Sequence, residues 1–160
     1  MLLLVTVGMF GFQGCTPDTD TDTISEVFEL KNVDFDYNVD DGFNIFQTLT
    51  PNIFSSDVVL IYRLSGTIDS NTPIWQLIPR TIYLSNGREL DYDFDFSKED
   101  FTIYARGNYN LELTPEYLDN QTFRIVIVPG SFSTSINKNN YNEVISALNI
   151  KENQIQKINF

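Results

Sequence analysis

From Ile24 onward, apolar and polar residues alternate along most of the chain, and a period of two is the pattern of half-buried strands. Val33, Phe35, Tyr37 and Val39 alternate with Asp34, Asp36, Asn38 and Asp40, which predicts a strand with one apolar and one acidic face. Asp41-Gly42 punctuates that pattern, and residues 43–49 read as a partner strand ended by Thr50, Pro51 and Asn52. Residues 58–64, VVLIYRL, are instead almost continuously apolar and rich in β-branched side chains, the pattern of a strand buried on both faces.

After a turn through Asp69, Ser70, Asn71 and Pro73, residues 74–84 carry Trp75, Leu77, Ile82 and Leu84. Pro79 within that run forces an edge position or a bulge, because proline has no N–H to give a ladder. Asn86-Gly87 follows, and both residues tolerate the positive φ of a tight hairpin. The strand returns over residues 89–96, with Leu90, Tyr92, Phe94 and Phe96 opposite Asp91, Asp93 and Asp95, and residues 101–106 repeat the alternation. These three consecutive strands predict a meander.

Thr114-Pro115-Glu116 reads as an N-cap, a first-turn proline and a favourable acid, with room for about one helical turn. Residues 123–128, FRIVIV, form a second core-type strand closed by Pro129-Gly130. Asn140 is placed to cap a helix in which Tyr141, Val144, Ile145 and Leu148 fall on one face. Ile155, Ile158 and Phe160 complete a last short strand. Together the pattern predicts a mainly β fold, an antiparallel β-sandwich Ig-like in character. A short helical turn would bridge its sheets, and the one C-terminal helix would pack on an end or edge; a small barrel is the alternative. The 13 Phe and 8 Tyr supply bulk for a core without disulfides.

The N-terminus changes the picture. The apolar stretch from Leu2 to Phe12 matches the h-region of a signal peptide and is too short to span a bilayer as a helix. It ends in Phe12, Gln13, Gly14 and Cys15, with a small residue directly before the chain's single cysteine. That run resembles a lipobox of the relaxed kind found in Bacteroidetes-type lipoproteins. It departs from the usual pattern at Phe12 and Gln13 and in having no Lys or Arg ahead of Cys15. The resemblance implies a signal peptide over residues 1–14, removed before Cys15, and acyl chains on Cys15 that insert into the membrane, several together giving stable anchoring. The competing reading is a free cysteine in an ordinary tail.

Residues 16–23, TPDTDTDT, hold nothing to bury and read as a solvated acidic tether, so that residues 15–23 link the lipid to a single domain over 24–160. An acidic segment after the acylated cysteine resembles the surface-export signals of the same bacterial lipoproteins. That implies an outer-membrane anchor with the domain on the cell surface. Asp22-Thr23-Ile24 resembles their short O-glycan acceptor, with Thr23 as the modified residue. The segments VVLIYRL, GRELDYDFDF, FRIVIVPGSF and NNYNEV resemble a family of small Bacteroidetes lipoproteins of unassigned function. The resemblance implies an envelope location and supplies no catalytic residue.

Charge and chemistry exclude several functions. Lys+Arg 10 against Asp+Glu 22 gives a net charge of −12 with the basic residues scattered, the opposite of the basic face nucleic acids require. With His 0 and the one cysteine assigned to lipid, His-assisted nucleophiles, thiol chemistry and the usual zinc sites are out of reach, and no cofactor is expected. Asp36-Tyr37-Asn38-Val39-Asp40 begins like a calcium-binding EF-hand loop, yet Asp41 stands where Gly belongs and Gln47 where Glu belongs. Asp91, Asp93 and Asp95 recur about 6.6 Å apart along a strand, too far to chelate one ion alone, and read as a solvated face that resists aggregation. No metal is expected. The reading that remains is a lipid-anchored envelope protein with a structural or accessory role, partnered by the membrane and by envelope proteins or glycans. Its alternative is a carbohydrate-binding or adhesive surface module. Trp75, Tyr83 and Tyr104 are the candidate ligand-facing aromatics; exposure of Trp75 beside either tyrosine favours that module, and burial of Trp75 in the core favours the first reading.

Overall fold

The innermost element is a strand whose two faces are both apolar. In the computed structural model, which describes residues 25–69, 71–132 and 136–160, this strand is β9 (Gln121–Val128), and every residue from Phe123 to Val128 is buried. It lies between β1 (Glu26–Val33) and β4 (Val58–Ile68), antiparallel to both. The sheet is completed by β5 (Thr72–Ile78) beside β4 and by β10 (Gln156–Asn159), which runs parallel to β1. Phe123, Ile125 and Ile127 face the second sheet, while Val126 and Val128 face outward into a second apolar cluster.

The second sheet has the order β2-β3-β8-β7-β6: β2 (Asp36–Asn38), β3 (Gly42–Thr48), β8 (Asp100–Gly107), β7 (Glu89–Phe96) and β6 (Arg80–Tyr83). The two five-stranded sheets enclose a core that includes Leu30, Val33, Phe35, Ile61, Leu90, Tyr92, Phe101, Ile103, Phe123 and Ile125. The mainly β sandwich and the β6–β7–β8 meander are as the alternation predicted. Asn86 and Gly87 adopt φ of 62° and 70° in the β6–β7 turn. Pro79 separates β5 from β6, so one continuous run supplies an edge strand to each sheet. Missing its N–H, the proline sits where the chain leaves one ladder and joins another.

Three local expectations are corrected. Residues 33–39 are not one strand: β1 ends at Val33 after a register shift in which Asn32 takes φ 55°, and β2 begins at Asp36 in the other sheet. Val33 and Phe35 are buried as expected, whereas Tyr37 and Val39 are 65% and 90% exposed, because the alternation runs on past the change of sheet. A one-turn 3-10 helix does occupy Pro115–Tyr117, but Thr114 makes no side-chain cap; its hydroxyl instead donates to the Leu111 carbonyl and bonds the Tyr109 hydroxyl. Residues 74–84 are not one arm of the meander, because they divide at Pro79 between β5 and β6 in different sheets. The helix α1 (Tyr141–Ala147) is capped as predicted, Asn140 Oδ1 accepting from the Glu143 N–H, and it packs over the outer face of the first sheet against the edge strand β5.

That outer layer is fastened by a charge. Arg124 on β9 aligns with Glu29 on β1 and Tyr62 on β4 across the outward face, and it is 3% exposed. Its Nε donates to Glu29 at 2.8 Å, its Nη1 to the Tyr141 hydroxyl and its Nη2 to Glu152. The Trp75 ring lies 4.3 Å and the Tyr141 ring 5.2 Å from the guanidinium carbon. Burial opposes the charge on Arg124, but the hydrogen bonds to Glu152 and Glu29 outweigh it and hold the pKa above its ordinary value.

Two stability predictions follow from this packing. Ile125→Ala should cost on the order of 2–5 kcal/mol in denaturant unfolding, since Ile125 is fully buried between the sheets. Arg124→Met should cost about 3–5 kcal/mol because Glu29 is left buried and uncompensated, and adding Glu29→Gln should recover part of that loss. Additive losses in the double variant would show that the two side chains are not coupled.

Candidate functional site

Cys15 and Thr23 lie outside the described residues. The three candidate aromatics are not brought together. Trp75 is half-buried on the outer face of the first sheet, packed against Arg124 and Tyr141, and its Nε1 has no hydrogen-bond partner among the described residues. Tyr83 and Tyr104 belong to the second sheet. Tyr83 is 76% exposed at the end of β6, level with Glu89, whereas Tyr104 is level with Asp93, four residues further along β7. Tyr104 donates its hydroxyl to Asp95 at 2.9 Å and carries the Arg106 guanidinium 4.4 Å above its ring.

Among the described residues no layer covers the outer face of the second sheet, and the aspartates of β7 each engage a different neighbour. Asp91 accepts from the Thr81 hydroxyl, Asp93 lies 3.8 Å from Arg106, and Asp95 accepts from Tyr104. No group of three carboxylates suited to a metal ion occurs among the described residues. The EF-hand-like stretch is the β2–β3 hairpin, where Asn38 Oδ1 accepts from the backbone N–H groups of Asp40 and Asp41.

A different site lies at the corner where β5 gives way to β6. It is a cleft of about 450 Å³ lined by Arg63 and Ser65 from β4, Gln76 from β5, Arg80–Tyr83 from β6, and Tyr117 from the turn before β9. Arg63 aligns with Phe123, so it points inward among the core residues, and it is 7% exposed. Its Nε donates to Gln121 Oε1 at 2.8 Å, and its guanidinium carbon lies 4.7 Å from the Tyr92 ring centre and 5.7 Å from that of Tyr117. Gln121 is itself oriented by donating Nε2 to the Glu116 and Asp119 carbonyls at 3.0 and 2.7 Å. Tyr92 donates its hydroxyl to the Tyr117 carbonyl; burial pushes its pKa up, and Arg63 only partly offsets that.

Arg63 and Arg124 are both buried cations, and they are neutralised differently. Arg124 has two carboxylates; Arg63 has none within 4 Å among the described residues. Removing an ion from water is costly without a counter-charge, and the stacked tyrosines return part of that cost through the negative faces of their rings. A guanidinium held this way, on the wall of a cleft that Arg80 also lines, has the charge and the planar donor geometry that suit a planar anion. In a chain with 22 acids and 10 bases, the absence of Asp and Glu from the lining is a marked departure.

Neither Arg63 nor Gln121 stands out in the sequence, because VVLIYRL looks like a core strand with one polar interruption. The available signal is parity: Arg63 shares a strand face with Val59 and Ile61, both core residues. Compared with protein-family models, curated proteins and solved structures, the chain matches none.

The acidic face gives a direct measurement. Thermal melts of the wild type and Asp93→Asn, each with calcium and with chelator, should superimpose to within about 0.5 kcal/mol. A wild-type melt raised by calcium and abolished in the variant would assign a metal role to Asp93.

Proposed function

We propose that this protein is a lipid-anchored envelope protein with a non-catalytic accessory role, held to the outer membrane through Cys15 and presenting its sandwich beyond an acidic tether. The observation that carries the reading is the apolar run from Leu2 to Phe12 that ends in Gly14-Cys15 and is followed by the acidic stretch 16–23. The tether enters at Glu26, which pairs with Ile127, while Arg63 is bonded to Gln121 near the other end of the same strand. By strand rise that separation is about 20 Å, so the first described residues and the cleft lie toward opposite ends of β9. Among the described residues no helix is long and apolar enough to cross a bilayer, which is compatible with attachment by acyl chains. The net charge of −12 supplies no pull toward anionic lipid, so the anchor acts alone.

A second reading, a surface module that binds glycans, is favoured by Tyr83 and Tyr117 on the walls of the cleft. Aromatic faces beside hydroxyl and amide groups suit sugar rings, which are apolar on their faces and polar at their edges. Trp75 is not part of that surface, since it is half-buried on the outer face of the first sheet against Arg124 and Tyr141.

Attachment is tested by expression in a bacterium with an outer membrane. The wild type should partition into detergent and incorporate labelled fatty acid, and Cys15→Ser should do neither. Equal labelling of the two would sink the lipid-anchor reading.

A further inference from the structure

The Arg63 cleft is more selective than a generic sugar surface. We propose that it binds the carboxylate of an acidic sugar, with the Arg63 guanidinium as the anion receptor and Arg80 as a second cation. This rests on the glycan-binding reading and specifies its ligand class. Arg63 is held rigid by Gln121 and by stacking over Tyr92, so its fork is set before any ligand arrives. The side-chain groups beside it are neutral, the Gln121 amide and the Tyr92 ring and hydroxyl, which leaves the positive charge for a ligand to neutralise.

The remaining lining matches the rest of such a ligand. Gln76 offers its amide; the Ser65 and Thr81 hydroxyls, which donate to the Ile74 carbonyl and to Asp91, offer lone pairs for ring hydroxyls; and Tyr83 and Tyr117 offer apolar faces. Asp and Glu are absent from the lining residues, and Asp91, bonded to the lining residue Thr81, lies on the open face of the second sheet. A neutral sugar would leave the buried guanidinium without a counter-charge, so the cleft should discriminate against it. An acidic sugar satisfies both halves of the site.

Calorimetric titration of the detergent-solubilised full chain tests this with oligogalacturonate, oligoglucuronate and sialyllactose, alongside the methyl esters of the uronates and neutral oligosaccharides of equal length. At least one acidic probe should bind with a Kd of about 0.1–1 mM. Esterification should weaken it about tenfold or more, because the charge-assisted fork is lost. Arg80→Ala is exposed and should keep the wild-type melt while weakening the acidic probe by a similar factor. Arg63→Lys keeps the charge but not the fork, and should do the same. Equal binding of acid and ester, or binding of neutral sugars alone, overturns the carboxylate site and leaves the glycan reading standing. Failure of every probe overturns both, and fatty-acid labelling at Cys15 is unaffected by either result.

Discussion

The outer half of this protein hangs on one buried guanidinium. Arg124 joins β9 to β1 through Glu29, to α1 through Tyr141 and to the segment before β10 through Glu152, with Trp75 of β5 stacked on it. The polar contacts within one small region thus tie the central strand to elements that are distant in sequence. Apolar packing of Val126, Tyr62, Val144 and Ile155 surrounds it and excludes water, which strengthens each of these bonds and raises the penalty for losing any one.

The two sheets are treated differently as a result. The first is covered on both faces, by the second sheet and by α1 with the C-terminal segment, so β9 can carry apolar residues on both faces around Arg124. Among the described residues the second is covered on one face only, and its other face carries the aspartates of β7 with their separate partners Thr81, Arg106 and Tyr104. An open acidic sheet face resists edge-to-edge and face-to-face association. The passage of one chain run from the first sheet to the second at Pro79 leaves a corner between the sheets, and the cleft occupies that corner.

Arg63 and Arg124 show how one chemistry serves two purposes. They sit one residue apart in register, on opposite faces of neighbouring strands: Arg124 aligns with Tyr62, and Arg63 with Phe123. On the outward face, the paired carboxylates make Arg124 a structural fastener. On the inward face, Arg63 meets only an amide and aromatic rings, at a place where the core opens to solvent through the cleft. The same side chain therefore has carboxylate partners in one position and an amide with aromatic rings in the other.

Period-two alternation, the two continuous apolar runs, Asn86-Gly87 and the Asn140 cap are local signals, and they were sufficient for the strands, the hairpin, the helix and the sandwich class. They are legible because each depends on neighbours within a few residues. The break between β1 and β2 was not, since alternation looks the same whether a strand continues or changes sheets. Thr114 carried the composition of a cap, but its hydroxyl went to Leu111 and Tyr109. The cleft was least legible of all. Tyr83 was singled out as an aromatic, but its neighbours Arg63, Gln76 and Tyr117 come from separate elements, and only their packing around the Pro79 corner decides that Arg63 and Arg80 line one cleft. Sequence by itself determined which residues want to be strand and which faces want to be buried. Tertiary structure decided which buried charge is paired and which is left open, because that depends on contacts between residues as far apart as Glu29 and Arg124.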